Sequence, residues 1–176
     1  MIDLEVQLKE KLGISVIKRL ADRAAESKMS REALYEMLDS KDRRVSVNSH
    51  WIMTHMPESG REWLCSLQPE LIKRLLKEDD IAKKRMLLQL LREQEFDAEK
   101  EEVVELLDFY LSKINSECEP YAIRCFSIYT AFKICRPYKE LIKELDSHLE
   151  MMKLQPLSAG LRSALRQTKI RISKLK

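Results

Sequence analysis

The chain has 176 residues, of which 44% are hydrophobic and 35% charged, and a formal net charge of +3. That length suits one domain or one short solenoid with a real core, while three glycines and five prolines are too few for folds built on tight turns and phosphate-cradling loops. The opening stretch MIDLEVQLKEKLG alternates charge with apolar residues, unlike a secretory leader, and no window approaches the roughly 20 consecutive apolar residues of a membrane span.

Leu4, Leu8 and Leu12 recur one helical turn apart, and Ile17, Leu20, Ala21 and Ala24 continue a helical stripe. Residues 3–12 and 14–26 therefore read as an opening helical pair broken near Gly13. Ser30 is placed to cap the next helix, whose stripe is Leu34, Met37 and Leu38, and Asp42 or a neighbour opens a helix to about Met56. The stretch PESGREWLCSLQP, residues 57–69, interrupts the pattern: Pro57 and Gly60 favour a turn, and Gln68-Pro69 starts a new helix. Helical segments follow at QPELIKRLLKE, DDIAKKRMLLQLLRE, AEKEEVVELLDFYLSKI, EPYAIRCFSIYTAFKIC and PYKELIKELDSHLEMMK, with a last one from about Leu157. Pro120, Pro137 and Pro156 fall near their boundaries, where proline is tolerated. Valine, isoleucine and aromatic residues keep helical rather than alternating spacing, so an all-α fold is expected.

A longer period lies over this one. Asn48, Arg85, Arg124 and Arg162 stand 37, 39 and 38 residues apart, each near the start of a helical segment and each following Val47, Lys84, Ile123 or Leu161. Self-similarity at a period near 40 residues marks stacked helical hairpins, because one hairpin cannot bury its own apolar face. The expected architecture is a right-handed α-α superhelix forming one domain over residues 1–176. It comprises an N-terminal cap (2–26) and about four hairpins at 29–56, 68–93, 98–136 and 138–173.

The second helices of these hairpins resemble those of HEAT repeats, in which an acid precedes a base by six residues and an apolar residue lies just before that base. Asp79 and Arg85 match that spacing, Asp42 and Asn48 match it with asparagine in place of the base, and Glu119 to Arg124 and Ser158 to Arg162 are shorter variants. The resemblance covers about residues 29–173 and implies architecture rather than activity, since such repeats serve as scaffolds in unrelated processes. The chain is also similar to a small HEAT-like family that carries an adenylosuccinate lyase label. The Ser-Ser-x-Met-Pro-type loop of genuine lyases of that class is missing here, so a lyase is the third and least supported reading of the chain.

Arg85, Arg124 and Arg162 are candidates to line a concave groove. One helical turn onward lie Gln89 and Arg92, then Ser127 and Ala131, then Arg166 and Lys169, a spacing that keeps each set on one helix face. The competing reading makes the first-turn residues a ladder, each bonding an acid or carbonyl of the adjacent hairpin. Trp51 and His55, one turn apart, form an aromatic pair near the first hairpin, with Trp63 in the interrupting stretch. Trp51 at an apolar helix position reads first as core, while Trp63 reads equally either way. His50 and His55 lie about 140° apart around a helix, poor geometry for a shared metal, so no metal or other cofactor is expected. Motifs for dinucleotide, phosphate or serine-hydrolase chemistry are absent from the sequence. Cys65, Cys118, Cys125 and Cys135 form no CxxC pair, which suits reduced thiols in a cytoplasmic protein.

Charge is unevenly placed. Residues 157–176 carry Arg162, Arg166, Lys169, Arg171, Lys174 and Lys176 and no acid, whereas Glu95 to Asp108 holds seven acids against Lys100 alone. The residues favour a noncatalytic helical-repeat scaffold that binds a protein or peptide on its concave face, with an acidic segment suited to the basic C-terminal end and no membrane partner. A second reading is nucleic-acid binding, related to the HEAT-like DNA glycosylases of alkylation repair. The basic tail supports it. The acidic 95–108 segment opposes it, and no catalytic acid with paired groove aromatics can be aligned.

Overall fold

The computed structural model describes residues 4–175, and among them the regular elements are all helical. In chain order they are α1 (Leu4–Leu8), α2 (Ile14–Glu26), α3 (Lys28–Glu36), α4 (Arg43–Met53), α5 (Arg61–Ser66), α6 (Gln68–Lys77), α7 (Ile81–Arg92), α8 (Glu101–Ile114), α9 (Tyr121–Cys135), α10 (Lys139–Met152) and α11 (Ala159–Ser173). Short 3-10 turns occupy Met37–Asp39 and Glu58–Gly60.

Short polar side chains set several of the starts. The Ser27 hydroxyl accepts the N–H of Ser30 at 3.3 Å and the Ser158 hydroxyl accepts that of Leu161 at 3.3 Å. Asp42 accepts from Arg44 at 2.8 Å and from Val45 at 3.4 Å, while Asp80 accepts from Ala82 at 2.8 Å and Lys83 at 3.2 Å. Each bond satisfies an amide that a helix start leaves without an intrahelical partner.

Three sequence expectations are corrected. Ser27, not Ser30, caps α3, because its extended backbone lets its hydroxyl face the amide three residues on. The 57–69 interruption is itself largely helical, a 3-10 turn leading straight into α5. Gly60 there lies so close to Met56 that a Cβ would stand 2.3 Å from that side chain, so the residue serves close packing rather than an open turn. The first helix ends at Leu8, short of Leu12.

The chain divides into two compact units, Met1–Gln68 with Glu78–Leu90 and Pro69–Lys77 with Leu91–Lys176. In the first, α4 packs against α1, α2 and the Met37–Asp39 turn, and α2 against α3. Leu8, Ile17, Ala21, Val45 and Met53 are wholly buried there. In the second, α9 packs against α8, α10 and α11, and α10 also touches α8 and α11. A helix with three helical neighbours needs apolar residues on several sides, and α9 buries Ile123, Ile128, Ala131 and Ile134. Among the described residues no helix is long and apolar enough to cross a membrane.

Leu161 of α11 is fully buried, so Leu161→Ala should lower unfolding stability by about 2–5 kcal/mol, the usual result of emptying a packed leucine site. Urea titration measures it. A change within ~0.5 kcal/mol would mean that α11 lies loosely on its unit.

Candidate partner-binding surface

The four residues that mark the repeat do not share one role. In the first unit Asn48 is buried, and its Nδ2 donates to the carbonyls of Leu8 at 2.8 Å and Glu10 at 3.2 Å, closing the end of α1. In the second unit Arg124 is 2% exposed. Its Nε donates to Ile114 O at the end of α8, 2.9 Å away, and its terminal nitrogen to Gln155 Oε1 at 2.6 Å. Gln155 then donates to Asn115 O at 2.9 Å, and Asn115 to His148 O at 3.1 Å. A cation at the carbonyl end of a helix meets both the unsatisfied acceptors and the negative end of the helix dipole. These two residues therefore act as structural caps.

Arg85 and Arg162 stay on the surface. Arg85 and Gln89 are exposed on the first unit, and no ion pair of Arg85 is found among the described residues. Arg162 donates to its own Leu157 carbonyl just before α11. Trp51 near the end of α4 and His55 in the turn that follows it are half-buried and meet edge to face, ring centroids 6.0 Å apart. The His55 ring nitrogen lies 3.0 Å from Trp51 O, so that pair is engaged locally. Trp63, on α5 rather than in a loop, has the Arg31 guanidinium 6.0 Å from its ring.

The stripe continued from Arg124 is also corrected. Ser127 and Ala131 are fully buried, because that side of α9 faces its neighbours. The side it leaves half-open carries Phe126, Tyr129 and Lys133. Arg92 lies over Phe126 with 5.4 Å to the ring centroid, and Lys133 and Arg136 both pair with Glu95. Phe126 escaped the sequence reading because almost every α9 position is apolar, so periodicity alone does not tell which face is covered.

The C-terminal cations do come together. Arg162, Arg166 and Lys169 of α11, with Lys153 just beyond α10, surround a hollow of about 440 Å³ whose apolar part is Leu165 and Ile170. Arg162, Arg166, Lys169 and Ile170 share a helix face by their spacing. Ile170 is 49% exposed. Lys153 was not singled out from sequence; its signal was a lysine in the turn that ends α10, three residues after Glu150.

Glu150 holds two of these cations. Lys153 binds it at 2.7 Å, and Lys169 binds it together with Asp146, the latter at 2.6 Å. Hydrogen bonds from Lys153 and then Lys169 bring the Glu150 carboxyl down to about 2. Partial burial pulls Lys169 downward, but its bonds to Asp146 and Glu150 outweigh that and raise it. Arg166 has no ion pair among the described residues, and Arg162 is bonded only to a neutral carbonyl. The uncompensated charge of the hollow thus sits on two guanidiniums one turn apart. On the inner side of the same unit, burial pushes the Cys135 thiol up to about 12 and raises that of Cys125, leaving neither a ready thiolate.

In comparison with known proteins, a family model described as HEAT repeat domain matches residues 4–172. No curated protein and no solved structure matches significantly.

Two expectations follow. Arg124→Ala should destabilise by about 3 kcal/mol, since it removes charge-assisted bonds and leaves the Ile114 carbonyl buried without its donor. Arg166→Ala should change stability by less than ~0.5 kcal/mol in the same urea titration. Separately, Glu150 should titrate near 2 by carboxyl NMR, against an ordinary value of 4.5. A depressed folded value means its stabilising effect is complete above about 4.5 and fades as pH falls toward 2. Lys169→Ala together with Lys153→Ala should return the carboxyl toward its ordinary value, and an unmoved titration would break the network.

Proposed function

The chain belongs to the HEAT repeat family, and from that premise we propose that it is a noncatalytic scaffold binding an acidic, amphipathic segment of a partner protein on the α11 hollow. The observation that carries this reading is the pairing of two uncompensated guanidiniums with an exposed apolar side chain in one concavity. Guanidinium forks grip carboxylates through parallel charge-assisted bonds. Ile170 and Leu165 offer an apolar residue of the same segment a place out of water. A bare polyanion would use only half of that surface. Neutralisation of Lys153 and Lys169 by Asp146 and Glu150 further weakens the phosphate attraction that drives nonspecific nucleic-acid binding. Four cysteines without disulfides support a reducing, cytoplasmic setting for this scaffold.

Fluorescence anisotropy with a short helical peptide of glutamate and leucine tests the proposal. Binding is expected at moderate salt, and Arg162→Ala with Arg166→Ala should weaken it by about tenfold, on the order of 1.4 kcal/mol. Peptide binding indifferent to the double substitution would overturn the site. Submicromolar binding of a labelled oligonucleotide at physiological salt, lost when Arg162, Arg166 and Lys169 are all replaced by Ala, would make nucleic acid the partner instead.

A further inference from the structure

Much of the charge on the second unit is settled locally. Lys113 pairs with Glu119, Lys133 and Arg136 with Glu95, Lys143 with Glu140, and Lys153 and Lys169 with Glu150. Of the exposed charges left without an ion pair among the described residues, two sets are complementary. On α8, Glu101, Glu105 and Asp108 are exposed and have no ion pair among the described residues. On α11, Arg162 and Arg166 are in the same condition. No ion pair among the described residues joins the two sets within one chain.

Each set also carries an apolar residue that water reaches. Val104 is 47% exposed and lies between Glu101 and Glu105 on the outer face of α8, as Ile170 lies one turn beyond Arg166 on α11. Glu101, Val104, Glu105 and Asp108 follow the i, i+3, i+4, i+7 spacing of a single helix face. Glu101 and Glu105 are one turn apart, and so are Arg162 and Arg166, so two helices side by side bring both pairs into register. At the usual interaxial distance of about 8–10 Å, with Glu101 opposite Arg162 and Glu105 opposite Arg166, Val104 then comes level with Leu165 of the hollow.

We propose that the acidic segment received by the α11 hollow is the outer face of α8 on a second copy of this chain. This rests on the reading of α11 as a site for acidic amphipathic segments and names its occupant. The two surfaces differ, so the contact is heterologous: each copy offers one donor face and one acceptor face, and association continues beyond a dimer unless the ring closes. Two helices of 14 and 15 residues present a contact only about 20 Å long. Such an interface lies at the small, transient end of the size range, and its charged rim makes it sensitive to salt.

Sedimentation velocity of the full chain across a concentration series is the test. At low salt the mass should rise above 20.8 kDa with concentration and return to that of the monomer at high salt. Arg162→Glu with Arg166→Glu should abolish association, as should Glu101→Arg with Glu105→Arg, each variant keeping wild-type circular dichroism. Mixing the two variants should restore it, because the reversed faces complement each other. A chain that stays monomeric while still binding the glutamate–leucine peptide would overturn the self-association and leave the α11 site standing. Failure of both would remove the site as well. Association that survives either charge reversal would place the contact elsewhere and overturn the proposal.

Discussion

A guanidinium that is almost wholly excluded from water has to be compensated bond by bond, because no solvent is present to screen it and it cannot release its proton. Arg124 meets that demand with the last carbonyl of α8 and the amide oxygen of Gln155. Gln155 and Asn115 pass the requirement on to Asn115 O and His148 O. The second unit is organised around this chain of bonds. It joins the end of α8, the first turn of α9 and the segments that end and follow α10, three places that apolar packing alone would leave free to slide.

The same residue type at the same position of the repeat acts differently once burial changes. Arg162 starts α11 as Arg124 starts α9, but α11 is exposed where α9 is covered, so its guanidinium bonds only its own preceding carbonyl. Its charge is then available to a partner. Lys153 and Lys169 are closer to acids and lose most of that availability to Glu150 and Asp146. Of the six basic residues in the last twenty, Lys169 alone is neutralised by acids among the described residues. What remains in the hollow is a mixed surface of two guanidiniums and an isoleucine, matched in chemistry by the acids and valine of α8.

The helices were legible because apolar spacing is a local property, written once per turn. The repeat was legible because stacked hairpins need similar residues at similar places, and Asn48 and Arg124 do have similar work, each bonding carbonyls at the end of an earlier helix. Legibility failed where packing decides. Ser127 and Ala131 were set on an open stripe from helical spacing alone, yet spacing states only that residues share a face and not whether a neighbour covers it. Residues 57–69 looked like a loop from Pro57 and Gly60. The glycine instead allows close approach to Met56, and a helix follows at once.

By itself the sequence determined an all-helical chain with a period near 40 residues, membership of the HEAT repeat class, and a concentration of positive charge at the C-terminal end. Those properties follow from side-chain periodicity and composition, which are set residue by residue. Only the tertiary structure decided that Asn48 and Arg124 are caps, that Arg162 and Arg166 remain uncompensated, and that Lys153 joins them around Leu165 and Ile170. Burial and ion pairing depend on which helices come to lie alongside, so an arginine at this repeat position is a structural cap beneath one neighbour and an uncompensated surface charge where the neighbour is missing.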